Sequence, residues 1–345
     1  MTVAVVAVVG LLLAAAGLVA VSASRTSTGA GSTPTGTVGP DGATVAPDDA
    51  QAQTLTRPVR RYVALGDSFT AGPLIPFVDG SRTRCLRSSA NYPSVLGSWL
   101  GVRRMVDVSC SGATTADLRW QRQALTEGTD LVTVGAGGND FGIFATLAGR
   151  CVALASGDRA GAPCRDSLTR LDETDRMLLR ARRVEHRLSA QLRGISSLAP
   201  DAQIAVVGYP RIFPAAGTCS ALPLADGDYG WADRVQRTLN SSLKRAATQA
   251  GAWFVDTYRG SQGHDACAGD DAWVNGRTTV PTQALAFHPY AEGMRATAAA
   301  THHLLTGERV SPRMRRLAER RAAVHPKGAL TLRGQRFIAA LFAGR

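Results

Sequence analysis

Four short segments of this chain hold residue types that could do chemistry together. In Tyr62-Val63-Ala64-Leu65-Gly66-Asp67-Ser68-Phe69-Thr70-Ala71-Gly72, an apolar, β-prone run stops at Gly66 and an Asp-Ser pair sits where a helix would begin. A small hydroxyl is thereby delivered to a strand-to-helix turn, the place where a nucleophile is presented. Taken alone, Ser68 reads better as a helix N-cap. It is followed, in order, by Ser111-Gly112-Ala113-Thr114-Thr115, by Gly137-Gly138-Asn139-Asp140 and by Phe287-His288-Pro289-Tyr290. Acyl transfer by a serine needs a nucleophile, a base for its proton and hydrogen-bond donors aimed at the oxyanion. Ser68 supplies the first and His288 the second, with Pro289 suiting the first turn of a helix that leaves His288 at its start. The donors would be the Ser68 N–H, the Gly112 N–H, which no Cβ obstructs, and the Asn139 side-chain amide. Asn139 on its own is a plain turn residue after two glycines. His264 is the rival base, but its Gly- and Asp-rich loop reads as surface.

These residues need a sheet to hold them. Buried-strand patterns recur at Tyr62 to Gly66, Met105 to Ser109, Asp130 to Gly135, Gln203 to Val207 and Trp253 to Asp256. Between them lie helical stretches at Pro93 to Leu100, at Thr169 to Leu198, where Leu171, Leu178, Leu188, Leu192 and Ile195 share one face, and at Trp231 to Gln249. A last helix is expected from about Pro289 to Leu305. Strands alternating with helices predict an α/β fold with a central parallel sheet covered on both faces. Sites in such sheets collect at the carboxyl ends of strands, where Ser68, Gly112 and Asn139 all fall. The loops Pro73 to Tyr92 and Pro210 to Gly230 would shape the substrate pocket.

Charge separates the body of the chain from its end. The 345 residues carry a formal +12, and from Glu308 to Arg345 ten Lys or Arg face two Glu, so two thirds of the net charge lies in that segment. No nucleic-acid motif accompanies it, which argues against nucleic-acid binding. The segment 307–345, with Leu317, Leu330, Phe337 and Leu341 among its arginines, reads either as amphipathic helices on an anionic membrane or cell-wall surface, or as a solvated extension. At the other end, residues 1–24 lack any charged side chain and form a signal peptide or an N-terminal membrane anchor; either exports the rest. A Thr-, Gly-, Ser- and Pro-rich linker follows over 25–57. The folded domain is expected over 58–306.

Six cysteines in an exported chain favour three disulfides. The spacing leaves the pairing open, and neighbour pairing (Cys85 with Cys110, Cys151 with Cys164, Cys219 with Cys267) is the simplest, each bridge contributing roughly 2 to 4 kcal/mol. No cysteine–histidine cluster has metal-ligand spacing, and His302-His303 reads as a solvent-facing pair.

With these four blocks in order, the chain resembles the SGNH (GDSL-type) hydrolases, over about Arg61 to Leu305, and most of all their secreted actinobacterial esterase and lipase branch. The resemblance implies a flavodoxin-like three-layer α/β/α fold, no cofactor, three neighbour-paired disulfides, and Ser68, Gly112, Asn139 and His288 in the roles above. Many members have an Asp three residues before the histidine, where this chain has Leu285. Some members of the similar branch use a backbone carbonyl there, so the Leu285 carbonyl is expected to orient His288, with Asp270 or Asp271 as alternatives. Asp67 is better placed to hold the turn than to act as the third member of a triad. The implied activity is hydrolysis of acyl lipids or small esters by a monomer. Deacetylation of wall carbohydrate would use the same residues, and a non-catalytic wall- or membrane-binding module is the reading from another class.

Overall fold

A computed structural model of the protein describes residues 54–169 and 174–343, and a five-stranded sheet organises them. The strands are β1 (Arg61–Gly66), β2 (Arg104–Asp107), β3 (Leu131–Gly135), β4 (Gln203–Val207) and β5 (Trp253–Val255). All four pairings are parallel and the order is β2-β1-β3-β4-β5, the flavodoxin-like arrangement expected. Burial on both faces explains the continuous apolar runs. Along β1, Val63 and Leu65 enter one hydrophobic core while Tyr62 and Ala64 enter the other; β3 and β4 alternate likewise.

Helices α1 (Ser68–Ala71), α2 (Tyr92–Trp99), α3 (Arg176–Leu198), α4 (Tyr229–Gln249), α5 (Ala291–Thr306), α6 (Pro312–Ala322) and α7 (Leu332–Ala343) follow in chain order, with further helical segments of six residues or fewer between them. The first core takes Val184, Leu188, Leu192 and Ile195 of α3 and Val235, Leu239 and Leu243 of α4. The second takes Tyr92, Val95 and Leu96 of α2 and Met294, Ala298 and Leu305 of α5. These are the two outer layers of a three-layer α/β/α domain. The three disulfides are Cys85–Cys110, Cys151–Cys164 and Cys219–Cys267, the neighbour pairing, and no cysteine is free.

Several boundaries differ from expectation for local reasons. β2 ends at Asp107 because its carboxylate accepts from Ser109 N–H and Oγ–H and turns the chain. α3 starts at Arg176, where the Asp175 side chain caps Met177 and Leu178 and is itself held by Trp231 Nε1; Leu171 lies outside the described residues. α5 starts at Ala291 with Tyr290 as N-cap, so Pro289 is not in its first turn. On α5, His302 is buried with Ala298, Thr301 and Leu305, its ring edge-on to Trp99, and only His303 faces solvent, against the solvent-facing pair expected.

The basic segment 307–345 is not a solvated extension where it is described. α6 packs on α2: Trp99 Nε1 donates to the Met314 carbonyl at 2.9 Å, Arg321 donates to Ser98 Oγ at 2.8 Å, and Ala318 is buried. α7 packs on the loop after α1 through Ile338, Ala339 and the fully buried Gln335. Residues 1–24 and most of the linker lie outside the described residues; Leu55, at its end, donates to the Leu305 carbonyl at 2.7 Å. Among the described residues no helix is long and apolar enough to cross a membrane.

Candidate active site

β1 delivers Ser68 to its carboxyl end through a tight turn. Gly66 is required there because a Cβ would stand 2.5 Å from the Gly135 carbonyl oxygen of β3. Asp67 then caps α1, its Oδ1 accepting from Phe69 N–H at 2.8 Å, and Gly72 ends the helix in the left-handed conformation. This four-residue helix starts at Ser68, whose N–H therefore has no intrahelical acceptor.

His288 reaches the same point from a loop 220 residues later: its Nε2 lies 2.8 Å from Ser68 Oγ. Its Nδ1 lies 2.7 Å from the Ala286 carbonyl oxygen, so the expected orienting group, the Leu285 carbonyl, is replaced by the next one along. The reason is backbone geometry. Phe287 adopts φ +59°, which folds the chain so that the carbonyl two residues back meets the imidazole. The Leu285 carbonyl accepts instead from the His288 N–H at 3.1 Å and from Asn275 Nδ2 at 3.1 Å. Asp270 and Asp271 sit exposed on a separate turn and make no bond to His288. His264 stacks on Trp273 and pairs with the Asp271 carbonyl, away from Ser68. Desolvation pushes the His288 imidazolium down from 6.5 to about 4, the Ala286 carbonyl opposing it. Both ring nitrogens being engaged in an apolar setting beside Phe69, the neutral imidazole is the resting form.

Gly112 and Asn139 are brought together. Gly112 has φ +83° and nothing within 4 Å of where a Cβ would stand, and its N–H donates to no group among the described residues. Asn139 Nδ2 donates one hydrogen to the Ala113 carbonyl at 3.0 Å, which leaves the other for a ligand. The neighbouring Asp140 is wholly buried and binds the Gly112 loop from below, accepting from Thr115 N–H at 2.8 Å and Thr115 Oγ1 at 2.6 Å. Arg187 of α3 completes the clamp at 3.1 Å, its guanidinium over the Phe141 ring.

A second link escaped the sequence reading. The buried Tyr209 hydroxyl donates to Asp67 Oδ2 at 2.5 Å and accepts from the Gly138 N–H at 2.7 Å. It thus ties the residue before Ser68 to the residue before Asn139. Burial pushes the Asp67 carboxyl up from 3.8 to about 7 despite these bonds, and Asp67 is fully engaged in holding the turn. Tyr209 stands two residues past β4, at the carboxyl edge where sites collect, and that position was the available signal.

Beside Gly112 opens a groove of about 580 Å³, lined by Val108, Gly112, Ala113, Trp120 and Gln121 and by the Cys85–Cys110 disulfide. Trp120 stands on it 59% exposed. Neither Ser68 nor His288 lines this groove, which reaches the site through Gly112; another cavity of about 520 Å³, in the 210–230 loop beside Cys219 and Tyr229, includes none of Ser68, Gly112, Asn139 and His288. A serine, a neutral imidazole on its hydroxyl and a set of open N–H donors can carry out acyl transfer to water without a metal ligand set.

Comparison with known proteins agrees. The sequence model of the GDSL-like lipase/acylhydrolase family matches residues 64–296. Lipase 2 of Streptomyces coelicolor is 38% identical over 268 residues, covering 72% of this chain and 86% of that protein. An esterase of Streptomyces scabiei is 31% identical over 256 residues, covering 62% and 74%. Among solved structures, phospholipase A1 from Streptomyces albidoflavus aligns with a TM-score of 0.58 at 27% identity, over 71% of this chain and 98% of that one. The extracellular lipase of Streptomyces rimosus gives 0.59 at 28%, over 71% and 97%.

Proposed function

This chain belongs to the GDSL-like lipase/acylhydrolase family, and from that membership we propose that it hydrolyses carboxylic esters of acyl lipids through an acyl-enzyme on Ser68. It is a serine ester hydrolase. In the first half-reaction Ser68 Oγ bonds to the ester carbonyl carbon while its proton passes to His288 Nε2. The oxyanion so formed takes hydrogen bonds from the Ser68 and Gly112 N–H groups and the unused Asn139 amide hydrogen. As the carbonyl re-forms, the bond to the alkoxide breaks and His288 returns the proton to that leaving oxygen. Water then attacks the acyl-serine by the same route, giving the carboxylic acid and free Ser68. The Ala286 carbonyl holds the tautomer that keeps Nε2 an acceptor for the serine proton. It stabilises the imidazolium less than a carboxylate would.

The observation that carries this reading is the 2.8 Å contact between Ser68 Oγ and His288 Nε2. The groove beside Gly112 would take the acyl chain. Three disulfides and an extracellular relative support an exported enzyme. We read it as a monomer, with the arginine-rich segment 307–345 turned to an anionic membrane or wall.

The test is hydrolysis of p-nitrophenyl esters from acetate to palmitate, with Ser68→Ala as control. Serine-dependent turnover peaking at longer chains supports the proposal. A peak at acetate would move it to small esters or acetylated wall carbohydrate, and no turnover on any chain would leave only the binding-module reading.

A further inference from the structure

α7 has two faces, and only one of them is used by the fold. Gln335, Ile338 and Ala339 turn inward onto the loop that follows α1, packing with Leu74, Val78 and Leu86. The outward face carries Arg333, Arg336, Phe337 and Leu341, with Phe337 66% and Leu341 52% exposed. A helix that settles only its own protein contacts has no use for a phenylalanine and a leucine in water beside two arginines. Cations flanking exposed aromatic and aliphatic side chains match the boundary between anionic headgroups and acyl chains.

The inward face joins this helix to the catalytic loops. Gln335 is fully buried; its Nε2 donates to the Leu74 carbonyl and its Oε1 accepts from the Val78 N–H at 3.3 Å. Leu330 N–H donates to the Val78 carbonyl at 2.8 Å and Gly80 N–H to the Gly328 carbonyl at 2.9 Å. The same loop accepts, at the Pro73 carbonyl, from the N–H of Leu285, whose side chain packs into the same cluster as α7 and which lies three residues before His288. α7 is thus bonded to the loop leaving Ser68, and through it to the loop bearing His288. It also lies beyond residues 64–296, the part matched by the family.

We propose that the outward face of α7 is a docking surface for anionic phospholipid, fixing the hydrolase on the lipid that holds its substrate. This rests on the acyl-lipid reading of the same site and adds the surface on which it works. The net positive charge of 307–345 supplies the long-range attraction, and Phe337 and Leu341 supply what a soluble polyanion could not use, apolar area to insert.

The experiment compares sedimentation with vesicles of phosphatidylglycerol and of phosphatidylcholine for the full chain and two variants, Arg333→Gln/Arg336→Gln and Phe337→Ser/Leu341→Ser. All changed side chains are exposed, and unchanged turnover of a soluble acetate ester verifies folding. The parent is expected to prefer phosphatidylglycerol, and each variant to lose about tenfold or more of that partition. Binding by the Phe337→Ser/Leu341→Ser variant equal to the parent's would overturn the proposal in favour of a charge-only contact with a wall polyanion. Equal partition of the parent to both lipids, or to neither, would also overturn it. Because sedimentation is read without turnover, failure of the ester-hydrolase reading would show separately, as a parent that binds vesicles and cleaves no ester.

Discussion

The Ala286 carbonyl oxygen stands 2.7 Å from His288 Nδ1, and among the described residues no carboxylate bonds that nitrogen. A neutral dipole therefore fixes the tautomer on which the base depends. Replacing both Asp270 and Asp271 by Asn should change kcat/KM by less than about twofold, because their carboxylates lie on an exposed turn. A loss of about tenfold or more in steady-state turnover would return the orienting role to one of them.

Burial of the His288 imidazole sets the pH dependence. His288 is pushed down to about 4 by desolvation, so its neutral, proton-accepting form persists well below the ordinary histidine value of 6.5. Activity is lost only when the imidazole gains a proton, which places the acid limb of kcat/KM near about 4. A pH–rate profile on a soluble ester measures this. A limb at an ordinary histidine value would show an imidazole more hydrated than its packing implies.

Asp67 titrates in the opposite sense. Its carboxyl is raised from 3.8 to about 7, so between those values the folded chain holds a proton that the unfolded chain has released. The stability this contributes is fully present below 3.8 and is lost as pH rises through about 7. Asp67→Asn keeps a cap on α1 and removes the titration. Its melting temperature should fall less than the parent's between about pH 4 and pH 8. Parallel curves from scanning calorimetry would exclude Asp67 as the source.

What the sequence disclosed, and what it did not, follows from which facts are local. The strands were legible because burial on both faces forces runs such as Tyr62-Val63-Ala64-Leu65, and the sheet order followed the fold that the four blocks imply. Ser68, Gly112, Asn139 and His288 stood out as candidates because each lies at a turn whose residue types are restricted, and the Ser68–His288 contact joins two of them. Ala286 was not: its role comes from a positive φ at Phe287, which a phenylalanine does not announce. Tyr209 meets Asp67 across 142 residues, a distance no motif spans. The packing of α7 was equally hidden, since its inward face is held by a buried glutamine, a residue that composition assigns to the surface.

Asn139 carries a sharper expectation. One of its amide hydrogens is spent on the Ala113 carbonyl and the other is left for the oxyanion in the proposed mechanism, so Asn139→Ala removes both that donor and a brace on the Gly112 loop. Turnover should fall by about 10² to 10³ with KM little changed. A loss confined to KM in steady-state kinetics would make Asn139 a binding residue that does not act on the transition state.

Trp120 is where chain-length preference should be decided. It lines the groove beside Gly112 and is 59% exposed, so an acyl chain lying there covers indole surface that is otherwise wet. Acetate is too short to leave the neighbourhood of Ser68 and gains nothing from that surface. Trp120→Ala should therefore cost ~1 to 2 kcal/mol of transition-state binding for octanoate or longer esters, about a five- to thirtyfold drop in kcat/KM. The acetate ester should be hydrolysed as before. Measuring p-nitrophenyl acetate and octanoate side by side separates a lost contact from a damaged site. Equal losses on both would mean that Trp120 supports the Gly112 loop, and that the acyl chain runs elsewhere.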